Sequence, residues 1–125
     1  MITLKLEQLL FESDTWKRNL AFMTEENIRL KNRLSEILKK KIDKTLLPSA
    51  EEFNSGFLKH DDLIKVLRND ISGFDQLLTR EQFENSIIIS TVESQLEVIR
   101  NNIREAEERF SALKLNFYNQ MRFPS

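Results

Sequence analysis

Residues 6–37 read LEQLLFESDTWKRNLAFMTEENIRLKNRLSEI. Within them Leu6, Leu9, Ser13, Trp16, Leu20, Met23, Asn27, Leu30, Leu34 and Ile37 recur at alternating spacings of three and four, which places them on one side of an α-helix. This is the heptad seam of a helix that packs lengthwise against others. Leu38, Ile42 and Leu46 widen the apolar stripe toward its end, as expected for a bundle helix touching more than one neighbour. Pro48 lacks a backbone donor and disfavours helical geometry at the residue before it, so the first helix is expected over about 3–46.

Working outward, Phe53, Phe57, His60, Ile64, Leu67, Ile71 and Phe74 repeat the same spacings and predict a second helix over about 50–76. Ser49 and Glu52 have the spacing of a capping box at its start, and Gly73 weakens its end. Thr79 and Gln82 form a second candidate capping box, flanked by Leu78 and Phe83 as a hydrophobic staple. Beyond it Ile89, Val92, Leu96, Ile99, Ile103, Ala106, Phe110, Leu113 and Phe117 share one face of a third helix over about 80–120. Two short turns between three long helices predict an all-α fold, an up-down-up antiparallel three-helix bundle with coiled-coil-like helices.

Composition supports a single helical domain spanning 1–125. With 40% hydrophobic and 31% charged residues the chain has enough apolar surface to fold, and two Gly and two Pro are too few for the turns of a multi-stranded β protein. The absence of Cys removes disulfides, thiolate metal sites and cysteine nucleophiles, and fits a reducing compartment. Charges interrupt the apolar residues of the first seven positions, so no export signal is expected, and no apolar run approaches the ~20 residues of a membrane span. A cytoplasmic protein is expected. The net charge of −1 supplies no overall field toward nucleic acid or an anionic membrane.

The expected lengths make the middle helix the shortest, roughly 40 Å against roughly 60 Å for the others. Apolar overhangs would then project at opposite ends, carrying Leu6, Leu9, Leu10, Phe11 and Trp16 from the first helix, and Phe110, Leu113, Phe117, Tyr118, Met121 and Phe123 from the third. Contiguous apolar patches of this kind mark association surfaces, so a symmetric homodimer is the expected assembly. The competing arrangement breaks the first helix near Ser13-Asp14-Thr15 and folds its start back. Asn27, at a seam position flanked by Glu26 and Lys31 where interchain charge pairs could form, is a candidate register-setting residue; the alternatives are an Asn that faces solvent or one that bonds within its own bundle.

Features that could carry chemistry are sparse. His60 is the sole histidine, on an apolar seam beside Asp61 and Asp62. A di-iron bundle would need Glu-x-x-His pairs, and position 57 is Phe; a structural role is favoured over a zinc site. Glu25-Glu26, Asp61-Asp62 and Glu105, Glu107 and Glu108 are interleaved with Lys and Arg, as on a solvated helix surface. No Gly-rich phosphate loop, G-x-S-x-G elbow or H-E-x-x-H motif occurs.

The cluster Lys39-Lys40-Lys41 with Lys44 could contact phosphate, but cations there also oppose the negative end of the helix. The sequence therefore points to a non-enzymatic interaction or scaffold protein that acts as a homodimer, with no catalytic, cofactor or metal residues. The alternative is a helical regulator that binds nucleic acid or a protein target through Lys39–Lys44. Nucleic acid is not the expected partner.

Overall fold

The heptad pattern of the N-terminal stretch is realised as one unbroken helix, α1 (Leu6–Lys40). It does not break near Ser13-Asp14-Thr15, because the small polar side chains there find partners that leave the helical backbone intact. Thr15 Oγ1 donates to the Phe11 carbonyl one turn back at 3.0 Å, and Ser13 Oγ donates across to Asp75 Oδ1 at 2.6 Å. The computed structural model describes residues 6–40, 44–79 and 86–121.

Pro48 opens the second helix instead of closing the first. A 3₁₀ turn at Lys44–Leu46 leads directly into α2 (Leu47–Leu78), with Pro48 in its first turn. Amides of a first turn have no partner within the helix, so a residue without N–H loses nothing there. Leu46 is the N-cap and makes no side-chain capping bond, so Ser49 and Glu52 do not start this helix as a capping box. Thr79 likewise closes α2 instead of opening the next helix: its N–H donates to the Asp75 carbonyl at 3.2 Å and its Oγ1 to the Gln76 carbonyl at 3.0 Å. Gln82 and Phe83 lie outside the described residues.

The helix also runs straight past Gly73. A methyl group added at Gly73 would meet nothing within 4 Å. Gly73→Ala is therefore expected to raise the unfolding free energy by about 0.5–1 kcal/mol, from backbone entropy alone, as read by urea denaturation. Gly56 differs, since its added methyl would lie 3.0 Å from Leu113 Cδ1 on the third helix.

That helix, α3 (Ser86–Met121), completes an all-α three-helix bundle with no strand among the described residues. Cross-helix contacts give the directions. Along α1, Ser13 and Lys17 meet Asp75 while Asn27 and Lys31 meet Asp61, so α2 runs antiparallel to α1. Phe53 and Phe57 of α2 touch Phe117, and His60 stacks on Phe110, so α3 runs antiparallel to α2. The α1–α2 and α2–α3 seams are the extensive ones.

Helix lengths overturn the expected overhangs. α1, α2 and α3 contain 35, 32 and 36 residues, about 52, 48 and 54 Å, so α2 covers its neighbours nearly end to end. Leu9, Trp16, Phe110, Phe117 and Met121 are consequently buried in the chain's own core, together with Leu20, Leu30, Phe57, Leu67, Ile71, Phe74 and Ile99. Trp16 packs edge-on against Phe74 at 5.4 Å, and Phe117 is edge-on to both Phe53 and Phe57 at 5.4 Å. Edge-to-face geometry lets the electropositive rim of one ring meet the electronegative face of another.

Candidate functional site

Polar side chains, among them Glu26, Asp61 and Glu107 that the sequence assigned to solvent, form hydrogen bonds between helices along the edges of the apolar core. On the α1–α2 seam the same three-residue arrangement occurs twice, two heptads apart on each helix. Asp75 accepts from the buried Ser13 hydroxyl at 2.6 Å and from Lys17 Nζ at 2.6 Å; Asp61 accepts from the buried Asn27 amide at 2.7 Å and from Lys31 Nζ at 2.6 Å. Between the two, Arg68 donates to Thr24 Oγ1 at 3.2 Å. Lys17 and Lys31 follow the buried residues by one helical turn, at the flanking positions where antiparallel coiled coils place their charge pairs.

The α1–α3 seam carries a second periodic set. Arg100 donates to both Glu12 oxygens at 2.6 and 2.7 Å, Asn19 Nδ2 donates to Glu107 Oε1 at 3.1 Å, and Lys114 Nζ donates to Glu26 Oε2 at 2.9 Å. Each pair is separated by 88 positions, and successive pairs are one heptad apart. A constant difference under heptad steps means that α1 and α3 run parallel and in register.

These contacts shift proton affinities. Hydrogen bonding to Lys114 holds the Glu26 carboxyl below its usual range. Burial works to raise the Asp61 carboxyl, but hydrogen bonds from Lys31 and Asn27 outweigh it and leave it lowered. Hydrogen bonding to Asp75 raises Lys17, and the Glu12 hydrogen bond raises Arg100. The expectation of a wholly solvated acidic surface is thus corrected: Glu26, Asp61 and Glu107 tie helices together, whereas Glu25, Asp62, Glu105 and Glu108 are exposed. For the α1–α3 pairs, the signal in the sequence was the heptad spacing of 12, 19 and 26 against 100, 107 and 114.

Asn27 is fully buried and bonds within its own chain. Its Nδ2 donates to the Phe57 carbonyl at 2.9 Å as well as to Asp61, while its Oδ1 has no protein partner. It therefore fixes how α1 and α2 align, and its neighbours Glu26 and Lys31 make intrachain pairs. His60 is 5% exposed and lies nearly parallel to Phe110, with ring centroids 4.6 Å apart and planes 14° apart. Its Nε2 is buried without a partner, and burial lowers its proton affinity against the opposing pull of Asp61.

Of the other residues expected at an interface, Leu113 is half-buried against Gly56, while Leu6, Leu10, Phe11 and Tyr118 face outward. Phe11 is 68% exposed, with the Arg18 guanidinium 6.0 Å above its ring. Phe22, missed by the seam analysis because it lies off the stripe, is also exposed and forms one wall of a groove of about 360 Å³ between α1 and α3, floored by Met23 and Phe110. A second groove, of about 410 Å³, runs between α1 and α2 over Leu34, Leu38, Leu47 and Ala50.

Lys39 and Lys40 sit exposed in the last turn of α1, where they offset its negative end; Lys41 and Phe123 lie outside the described residues. Among the described residues no group of three or more His, Asp or Glu is placed to hold a metal ion, and no helix is long and apolar enough to cross a membrane. Compared with protein families, curated proteins and solved structures, the chain matches none.

Proposed function

We propose that this chain is a non-enzymatic helical interaction module that acts as a homodimer. The observation that carries this reading is the outward-facing apolar patch at the start of α1, where Leu6, Leu10 and Phe11 are exposed together. Exposed apolar clusters are uncommon on chains that remain single. The interhelical polar groups support a non-catalytic reading, since Ser13 with Asp75, Asn19 with Glu107 and Asn27 with Asp61 are engaged with one another in aligning the helices.

Because α1 and α3 run parallel, Leu115 and Tyr118, also exposed, are displaced from Phe11 toward the other end of the bundle. A side-by-side twofold pairing brings the Phe11 end of one protomer to the Tyr118 end of its partner, and does so twice, as an isologous interface requires. Sedimentation equilibrium at tens of micromolar, roughly the scale of ordinary association constants, should return the dimer mass, and Phe11→Glu should shift the chain to monomer without loss of helicity. A wild-type protein that is strictly monomeric at that concentration would sink the proposal.

A further inference from the structure

Besides Ser13, the buried polar residues among those described are Asn27 and His60, which lie together in one layer of the core. Asn27 contacts α2 at Phe57 and Asp61, on either side of His60, and His60 in turn stacks on Phe110 of α3. Two polar atoms of these residues, Asn27 Oδ1 and His60 Nε2, are buried without partners. Such atoms are costly in a low-dielectric interior, and a charge placed there is costlier still.

The groups facing His60 decide what a proton would do. On its own helix Asp61 is the nearest carboxylate, but both of its oxygens are committed, one to Asn27 and the other to Lys31, whose positive charge opposes a second cation. From α1 the layer presents Asn27, with Glu26 beside it already paired to Lys114. From α3 it presents the face of Phe110, with Glu107 bonded to Asn19 a turn before it and Lys114 a turn after. The Phe110 ring offers an imidazolium some cation–π attraction, yet that interaction substitutes poorly for water around a buried charge.

The three seams would respond unequally. α1–α2 is held by the Asp61 and Asp75 arrangements, and α1–α3 by the heptad-spaced pairs nearer the surface. The contacts of α3 with α2 around His60 are aromatic and aliphatic: Phe57 and Phe53 on Phe117, and Gly56 on Leu113. Hydrating a charged His60 requires parting that seam first.

We propose that His60 is an acid-operated latch: its protonation in mildly acidic solution releases the C-terminal half of α3 from α2 while the α1–α2 hairpin stays paired. The device does not depend on self-association. Its sign follows from linkage. A histidine that is harder to protonate when closed favours the closed form above the ordinary imidazole value, ~6.5, and loses that preference as pH falls toward the lower closed-state value.

Hydrogen exchange read by mass spectrometry at about pH 7.5 and about pH 5, corrected for the intrinsic pH dependence of amide exchange, tests the latch. Between those limits the opening equilibrium of residues 106–121 should rise by up to about tenfold per pH unit, with much smaller change in residues 13–31 and 57–75. His60→Phe should abolish the pH response, and His60→Leu serves the same purpose if the larger ring prevents folding. Unchanged protection of α3 at the lower pH, equal loss from all three helices, or the same response in a folded His60 variant would each overturn the proposal.

Discussion

Phe117→Ala is expected to lower the unfolding free energy by about 3–5 kcal/mol, the range for removing a large aromatic side chain from a packed core. Phe117 is 1% exposed and stands edge-on to Phe53 and Phe57, so its loss leaves a cavity lined by those two rings. Helix backbones on two sides limit how far that cavity can collapse. Tyr118, one position on and facing outward, should tolerate Ala with a far smaller change. Urea denaturation followed by circular dichroism reads both. A loss below about 1 kcal/mol at Phe117 would mean that the C-terminal aromatic segment is a free docking tail and not part of the core.

Asp61→Ala is expected to cost about 1–3 kcal/mol, because it strips a hydrogen bond from the fully buried Asn27 amide and a charge partner from Lys31. Most of the cost falls on Asn27; Lys31 is exposed enough to reach water. The effect should also depend on pH. Since the Asp61 carboxyl is held below its usual range, its contribution is present above the unfolded-state value, ~3.9, and is lost as pH falls through the lower folded-state value. The stability difference between wild type and Asp61→Ala should therefore be full near neutrality and shrink in strong acid. A difference that stays constant down to about pH 2 would show that the carboxylate's charge does not contribute.

The seams were legible because spacing alone specifies a helical face. Every residue of the α1 stripe from Leu9 to Ile37 is buried, Ser13 and Asn27 included, as are Phe53 to Phe74 on α2. Helix ends were less so. Pro48 is compatible with both the end of one helix and the first turn of the next, and only the tertiary structure chose the second. That ambiguity, with the one at Thr79, shortened α2 and lengthened its neighbours in the sequence reading, creating overhangs that the described helices do not have.

The polar contacts were hidden for a different reason. A carboxylate flanking a heptad seam looks the same in sequence whether it meets water or a cation on another helix, and the distinction depends on register. Once Asn27 and Ser13 set the α1–α2 alignment, Asp61 and Asp75 fall opposite Lys31 and Lys17. The parallel α1–α3 pairs could have been sought directly by matching heptad-spaced acidic and basic positions. The outward-facing Phe22 had no such partner pattern to reveal it, whereas Phe11 had been expected at an apolar association surface.

The measurement closest to the central claim, one chain folding α1 and α3 parallel and in register, uses the absence of native cysteine. Glu12→Cys with Arg100→Cys, and Glu26→Cys with Lys114→Cys, should each be joined within a single chain by a short bifunctional thiol reagent at high dilution. Glu12→Cys with Lys114→Cys should not, because its sites are displaced by about 21 Å along the bundle. Efficient linkage of that mismatched pair, or linkage of the matched pairs only between chains, would contradict the account.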